Sequence, residues 1–242
     1  LSFSVTLVQD VTQMEMKQAI VNFGIQLEDS GPEAVGLFYF AGHGVQLRGK
    51  NYLIPVDAEI RRQADVDIFA VDASSVLDQM FFARNPMNIV VLDACRNNPY
   101  TRDFRDATRG LARMEAPRGT IVAYSTKPGD TASDGDGRFS PYTKALTDTM
   151  QVPGLSLSNV FIQTRVAVMA ATDERQVPWE EGGLTANFYF RPMAAAAPDL
   201  VPNVEGGMSG PETFDDFKKK CTDIGFEPGS EKFGDCVMRL ME

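Results

Sequence analysis

The chain has 242 residues, of which 43% are hydrophobic, which is enough for one α/β domain and a small appendage. Its net charge of −10 argues against a nucleic-acid partner, because phosphate binding requires a basic surface. No apolar run reaches the ~18 residues of a membrane span, and no signal segment opens the chain. The acidic surface suits basic peptide substrates, although solubility alone also explains it.

Strands are predicted first from apolar runs. Alternating residues at 3–8 predict one strand, and a continuous run at 34–40 predicts a central strand buried on both faces. Two more buried strands are predicted at 88–92 and 120–125, a hairpin at 45–54 with its turn at 48–50, and a last strand at 186–190.

Helices are predicted between these strands. Thr12 and Glu15 fit a capping box that opens a helix over 12–29. Further helices are predicted at 73–84, 141–151 and 156–172, with polar loops at 99–118 and 126–140. Because helices alternate with buried strands, the fold class is α/β, with three layers and a mostly parallel sheet that has helices on both faces. We expect this domain over 1–191, a linker over 192–212 and a small module over 213–242.

Chemically distinctive residues follow two of the predicted strands. The run at 34–40 leads to His43, and the run at 88–92 leads to Cys95. Because sites form at the carboxyl ends of strands in α/β sheets, the two side chains are candidates for a nucleophile and its base. The amides of Gly44 and Cys95 would then stabilise the oxyanion. The ordinary alternatives are a buried cysteine and a loop histidine.

The segments Phe38–Gly44 and Val91–Asn97 resemble the His and Cys boxes of caspases, metacaspases and bacterial caspase-like peptidases. Cys95 follows His43 by 52 residues (95 minus 43), near the spacing of about 50 in caspases. The resemblance continues through 124–129, 140–143 and 176–180. It implies a cysteine peptidase with Cys95 as nucleophile, His43 as general acid/base and a six-stranded, mostly parallel sheet. The family has a strand and a helix before the stretch matching 1–8, so the resemblance also implies that the chain begins within the domain.

Two departures from caspases concern the specificity pocket. Asp93 stands where caspases have Gln, and Ser133 or Asp134 stands near the position of the Arg that binds an acidic substrate side chain. We expect this inverted charge to favour cleavage after Arg or Lys. Asp134 as a solvated turn residue and Asp93 as a structural acid are the alternatives. The remaining candidate substrate-binding residues lie at strand ends, namely Ala41 and Ser125.

The segment 99–118 carries five arginines, at 102, 105, 109, 113 and 118, and falls where related enzymes are cut between a large and a small piece. It is a candidate self-cleavage site, or an uncut solvated loop. We expect no cofactor and no zinc, because one histidine and scattered cysteines form no ligand set. Calcium stays open for 133–137, which lacks the acidic residue that closes an EF-hand loop.

Cys221 and Cys236 bracket a short segment of the C-terminal module. A disulfide would indicate a periplasmic or exported protein, whereas two reduced thiols would agree with the cytoplasm, so the compartment is left open. The oligomeric state is also left open. The alternative function is a catalytically silent caspase-fold module used in binding or signalling.

Overall fold

The computed structural model describes residues 3–94, 110–128, 130, 132–133, 135, 137–193, 218–219 and 221–222. The chain divides into two compact units, Leu1–Met193 and Ala194–Glu242. In the second unit the four described residues are helical, and Cys221 is buried and disulfide-bonded. The expected linker lies largely outside the described residues, as does most of the expected module, so their boundaries stay predictions.

The first unit alternates helices with strands. In chain order it contains α1 (Gln13–Asp29), β1 (Val35–Ala41), β2 (Gly44–Leu47), β3 (Lys50–Leu53), α2 (Val66–Phe69), β4 (Val71–Asp72), α3 (Ser74–Ala83), β5 (Met87–Asp93), β6 (Thr120–Tyr124), α4 (Pro141–Met150), α5 (Leu157–Ala171) and β7 (Trp179–Gly182). A single 3-10 turn, Gln63–Asp65, precedes α2. No helix among the described residues is long and apolar enough to cross a membrane.

The main sheet has the strand order β1-β5-β6-β7. β1, β5 and β6 are parallel, and β7 is antiparallel to β6. All seven residues of β1 pair with β5 at one constant offset, from Val35 opposite Met87 to Ala41 opposite Asp93. The carboxyl ends of these two strands therefore stop at the same level of the sheet.

Helices cover both faces of this sheet, which confirms the predicted three layers. Alternate residues of a strand point to opposite faces, so β5 and β6 contribute to two cores. Val90, Leu92, Val122 and Tyr124 pack in a core with α1 and α3. Ile89, Val91, Ile121 and Ala123 pack in a second core with α4 and α5. Each fully buried aliphatic side chain contributes about 1.5–3 kcal/mol to folding.

Local sequence signals explain several element boundaries. α1 begins after Thr12, and the capping box with Glu15 is formed as predicted. The predicted hairpin is formed by β2 and β3, with left-handed backbone at Arg48 (φ 51°) and Gly49 (φ 80°), as its two-residue turn requires. β4 adds to this hairpin to form a second, antiparallel sheet of three strands.

Two predicted strands are wrong. Residues 3–8 form no strand, and Val5 and Leu7 are exposed, so the alternation buries no face. Residues 186–190 contribute only an isolated bridge between Tyr189 and Ser156. The apolar signal comes from Phe188 and Phe190, whose side chains pack in the second core. The strand that pairs with β6 is β7, which lies earlier in the chain.

Three further expectations need correction. The main sheet has four strands among the described residues instead of six. Among the described strands β1 lies at the edge of this sheet; it is only partly buried, and Tyr39 is 41% exposed. The segment 110–118 is not an exposed loop throughout, because Leu111 is 1% exposed and packs in the first core. Residues 99–109 lie outside the described residues.

Candidate active site

The carboxyl ends of β1 and β5 bring two sequence motifs together. Ala41 lies opposite Asp93, and the Gly42 amide donates a hydrogen bond of 3.3 Å to the Asp93 carbonyl, which extends the ladder by one step. His43 follows Ala41 by two residues, as Cys95 follows Asp93. The 52 residues between His43 and Cys95 therefore equal the offset between the paired strands. Cys95 itself lies outside the described residues.

His43 occupies the connection between the two sheets. Its side chain is exposed and its carbonyl accepts a hydrogen bond of 3.0 Å from the Ile54 amide, so its backbone is fixed by the β2–β3 hairpin. The imidazole makes no hydrogen bond with a described residue and is free to meet a ligand.

Gly44 lies against Ala94, the residue before Cys95. A methyl group added at Gly44 would lie 3.2 Å from the Ala94 Cβ, 3.4 Å from its carbonyl oxygen and 3.1 Å from the Leu111 Cδ2. Such distances are tighter than ordinary van der Waals contact. Glycine at this position therefore permits the close approach of the histidine segment to the cysteine segment.

Hydroxyl groups hold the Asp93 side chain. Ser140 and Thr143, at the N-terminus of α4, both donate hydrogen bonds to Asp93 Oδ2, at 2.5 and 2.6 Å. Because the Thr143 hydroxyl proton is used here, the Tyr39 hydroxyl must donate to Thr143 Oγ1, at 2.5 Å. The described residues donate no hydrogen bond to the second oxygen, Oδ1.

Two tyrosines near Asp93 have raised pKa values. Burial raises the pKa of Tyr39 and outweighs its hydrogen bond with Thr143, and the Asp93 carboxylate raises it further. Burial also raises the pKa of Tyr142, to which the carboxylates of Asp93 and Glu180 add. Both phenols therefore stay protonated at neutral pH, and Tyr39 keeps the proton that it donates.

A pocket of about 140 Å³ opens beside Asp93. Ala41 and Ser133 line it too, so three predicted substrate-binding residues meet at one cavity. The exposed Arg138 also lines the pocket, with its guanidinium 5.3 Å from the Phe139 ring. The other lining residues are Tyr39, Gly42, Ala132, Phe139, Ser140 and Thr143.

Ser125 lies apart from this pocket. Its side chain is fully buried, its amide donates to the Leu92 carbonyl (3.1 Å), and its carbonyl accepts from the Gln176 side chain (2.8 Å). The same Gln176 side chain accepts a hydrogen bond of 3.0 Å from the Ser133 amide. Ser125 is therefore linked to the pocket indirectly, because its carbonyl and the amide of the pocket residue Ser133 bond the same Gln176 side chain.

A family model described as the caspase domain, Peptidase_C14, matches residues 1–189. The chain belongs to this family of caspase-type cysteine peptidases. The expected family is thereby confirmed.

The two similar proteins and the solved structure described next are distant in sequence. The chain is 29% identical over 132 residues to the mucosa-associated lymphoid tissue lymphoma translocation protein 1 of Homo sapiens and to its homologue in Mus musculus. This match covers 54% of the chain and 15% of each relative. The crystal structure of caspase-1 from Spodoptera frugiperda superposes with a TM-score of 0.52 at 14% identity, over 78% of this chain and 77% of that one. It shows the same fold.

The caspase domain also contains a tether that the sequence did not indicate. Buried Asn51 exchanges two hydrogen bonds of 2.7 Å with the backbone of Ala112, through Nδ2 and Oδ1. The Met114 amide donates to the Tyr124 hydroxyl at 2.8 Å. The segment after residue 109 is therefore fixed to both sheets.

Some functional expectations lie outside the described residues. They include Asp134 of the expected pocket, and residues 134 and 136 of the possible calcium site at 133–137. Among the residues that the structure does describe, no three acidic, His or Cys side chains gather as metal ligands. Ser140, Thr143 and Gln176 fall in segments that the family resemblance covers, but no spacing signal assigned them a role.

Proposed function

We propose that this caspase domain is a cysteine endopeptidase in which Cys95 is the nucleophile and His43 the general acid/base. The observation that carries the proposal is the register of β1 and β5, since both residues follow paired strand ends by two positions. The approach of Gly44 to Ala94 supports it, because these are the neighbours of the two residues in sequence.

The proposed reaction follows from these positions. The Cys95 thiolate attacks the scissile carbonyl carbon, and the amides of Gly44 and Cys95 donate to the developing oxyanion. His43 gives a proton to the leaving amine, which leaves an acyl group on Cys95. A water molecule then loses a proton to His43 and attacks the acyl carbon, which releases the carboxylic product and restores the thiolate.

We further propose that the residue before the cleaved bond is Arg or Lys, and that Asp93 binds it. Asp93 Oδ2 is held by Ser140 and Thr143, while Oδ1 receives no bond from the described residues. An oriented carboxylate with a free oxygen suits a cationic side chain. Arg138 opposes this preference, but its exposed charge is screened by solvent, whereas Asp93 is partly buried.

A positional peptide-library digest tests both parts, with the Cys95→Ala protein as the blank. Cleavage after Arg or Lys that is absent from the blank supports the proposal, and preferred cleavage after Asp contradicts the specificity. Labelling of Cys95 by an Arg-directed electrophile adds a second readout. A protein that neither cleaves nor labels faster than a free thiol is the silent binding module instead.

A further inference from the structure

Gln176 uses both ends of its side chain amide inside the domain. It is 2% exposed; Nε2 donates to the Ser125 carbonyl at 2.8 Å, and Oε1 accepts from the Ser133 amide at 3.0 Å. Its own amide donates to Thr172 Oγ1 at 3.1 Å, and that hydroxyl donates to the Val168 carbonyl of α5 at 2.8 Å. The backbone of Gln176 is thus held at the end of α5, and its side chain joins the segments of Ser125 and Ser133.

The two segments differ in their hydrogen bonds to the rest of the domain. Ser125 continues β6 and is bonded to Leu92 of β5, so it belongs to the frame of the sheet. Ser133 lies in the loop between β6 and α4 and lines the pocket together with Asp93. Among the described residues of 126–139, the hydrogen bond from Ser133 to Gln176 is the one that leaves the loop, because the others join neighbours such as Asp130 to Lys127. Gln176 is therefore the polar tether of this pocket wall.

We propose that Gln176 is a positioning residue that fixes the Ser133 wall of the pocket relative to Asp93, and so sets the affinity for the substrate side chain bound there. This inference rests on the proposed peptidase function. Because Gln176 is buried, water cannot readily satisfy the groups that a lost hydrogen bond would leave unpaired. Loss of the tether releases the wall while the strand ends that precede Cys95 and His43 stay paired, so KM changes and the chemistry does not.

The variant Gln176→Glu makes the tether depend on pH. A protonated carboxyl group donates to Ser125 and accepts from Ser133, as the amide does, whereas a carboxylate has no proton for Ser125. Burial favours the protonated form at mildly acidic pH. Relative to the wild type at the same pH, we expect nearly equal KM for an Arg substrate at about pH 5.5 and a KM about tenfold higher at about pH 8, with kcat retained.

Two matched variants complete the test. Gln18→Glu makes the same chemical change on the exposed face of α1 and is expected to leave the KM ratio independent of pH. Gln176→Leu removes both bonds at similar volume and is expected to raise KM at every pH. If Gln176→Leu does not fold, the reversible pH response of Gln176→Glu decides alone.

The outcomes separate the two proposals. If the wild type cleaves and KM is unchanged in Gln176→Glu at about pH 8, or if kcat falls instead, the role of Gln176 is overturned. If the wild type cleaves nothing and Cys95 reacts with iodoacetamide no faster than a free thiol, the peptidase function is overturned, and this inference with it.

Discussion

Gly44 lies against Ala94 so closely that a methyl group added to it would be 3.2 Å from the Ala94 Cβ. This contact joins the residue after His43 to the residue before Cys95. The two segments that carry the proposed catalytic pair are therefore packed on each other without an intervening side chain.

Gly44→Ala is expected to lower both stability and activity. The added methyl group must displace Leu111 or Ala94, at a cost of about 1–3 kcal/mol in unfolding free energy. Because Ala94 precedes Cys95, its displacement should lower kcat/KM by at least about tenfold. Kinetics and urea unfolding measure the two effects. The control Gly183→Ala, whose new Cβ has 3.8 Å to its nearest neighbour, should match the wild type in both.

Asp93→Asn should reduce cleavage after Arg and Lys by about 10- to 100-fold in kcat/KM. The amide keeps the volume of the side chain and loses its charge, so a charge-assisted hydrogen bond to the substrate is lost. Substrates with an uncharged side chain at the same position should change little. Asp29→Asn removes an exposed carboxylate that does not line the pocket and is the matched control. Equal losses for charged and uncharged substrates would contradict the pocket role.

If the chain cuts itself between 99 and 118, the cut should follow Arg102, Arg105 or Arg109. Arg113 forms an ion pair with Glu181 at 3.1 Å and lies over the Trp179 ring. The backbone of Arg118 forms an isolated β-bridge with Gly183. A substrate must leave such contacts to enter an active site in extended form. Intact-mass measurement of the wild type beside Cys95→Ala locates the cut. A product ending at Arg113 or Arg118 would refute the assignment.

Asn51→Ala should lower the free energy of unfolding by about 1–3 kcal/mol. The substitution leaves the N–H and C=O of Ala112 without their partners in a partly buried position. Urea denaturation measures the loss. Asn22→Ala, on the exposed face of α1, removes one acceptor of Gln18 and should stay within about 0.5 kcal/mol of the wild type.

Asp72 should contribute stability that disappears in acid. Burial acts to raise its pKa, but hydrogen bonds from the Ser74 amide and hydroxyl and the Lys50 ammonium together lower it below 3.8. A folded-state pKa below the unfolded value means that the contribution is present above pH 3.8 and is lost as the pH falls through the lowered pKa. The difference in unfolding free energy between the wild type and Asp72→Asn should therefore decrease as the pH is lowered from about 7 to about 3.

A matched ion pair provides the control for Asp72. Lys144 and Asp148 also form a Lys–Asp pair, but both side chains are largely exposed (72% and 61%), whereas Asp72 is 29% exposed. Asp148→Asn should show a small and nearly constant gap over the same pH range. A gap for Asp72→Asn that does not narrow in acid would contradict the assignment.

Much of the fold could be predicted because local signals agreed with it. The apolar runs at 88–92 and 120–125 became β5 and β6, and the capping box at Thr12 marked the start of α1. β7 was missed because its sequence, Trp-Glu-Glu-Gly, has no apolar alternation, and only pairing with β6 makes it a strand. The position of β1 at the sheet edge is likewise decided by pairing across 52 residues, which composition does not reveal.

The site was predictable in part for the same reason. His43 and Asp93 stand at the ends of recognisable strands, so sequence reasoning found both. The residues that orient Asp93 come from α4, 47 and 50 positions further along the chain, and Gln176 acts through a loop that precedes α4. Such contacts depend on where helices pack, and single-sequence patterns carry no information about that.

The common offset of β1 and β5 means that the number of residues between His43 and Cys95 follows from how much chain separates the two strands. The pairing itself does not require that number. Residues inserted at the Arg48–Gly49 turn would lengthen the gap, yet strand pairing would return Asp93 to Ala41. The feature that must be kept is the same number of residues between the last paired residue of each strand and the reactive residue that follows it. Distant members with quite different spacings should therefore be found by aligning strand ends instead of counting residues between motifs.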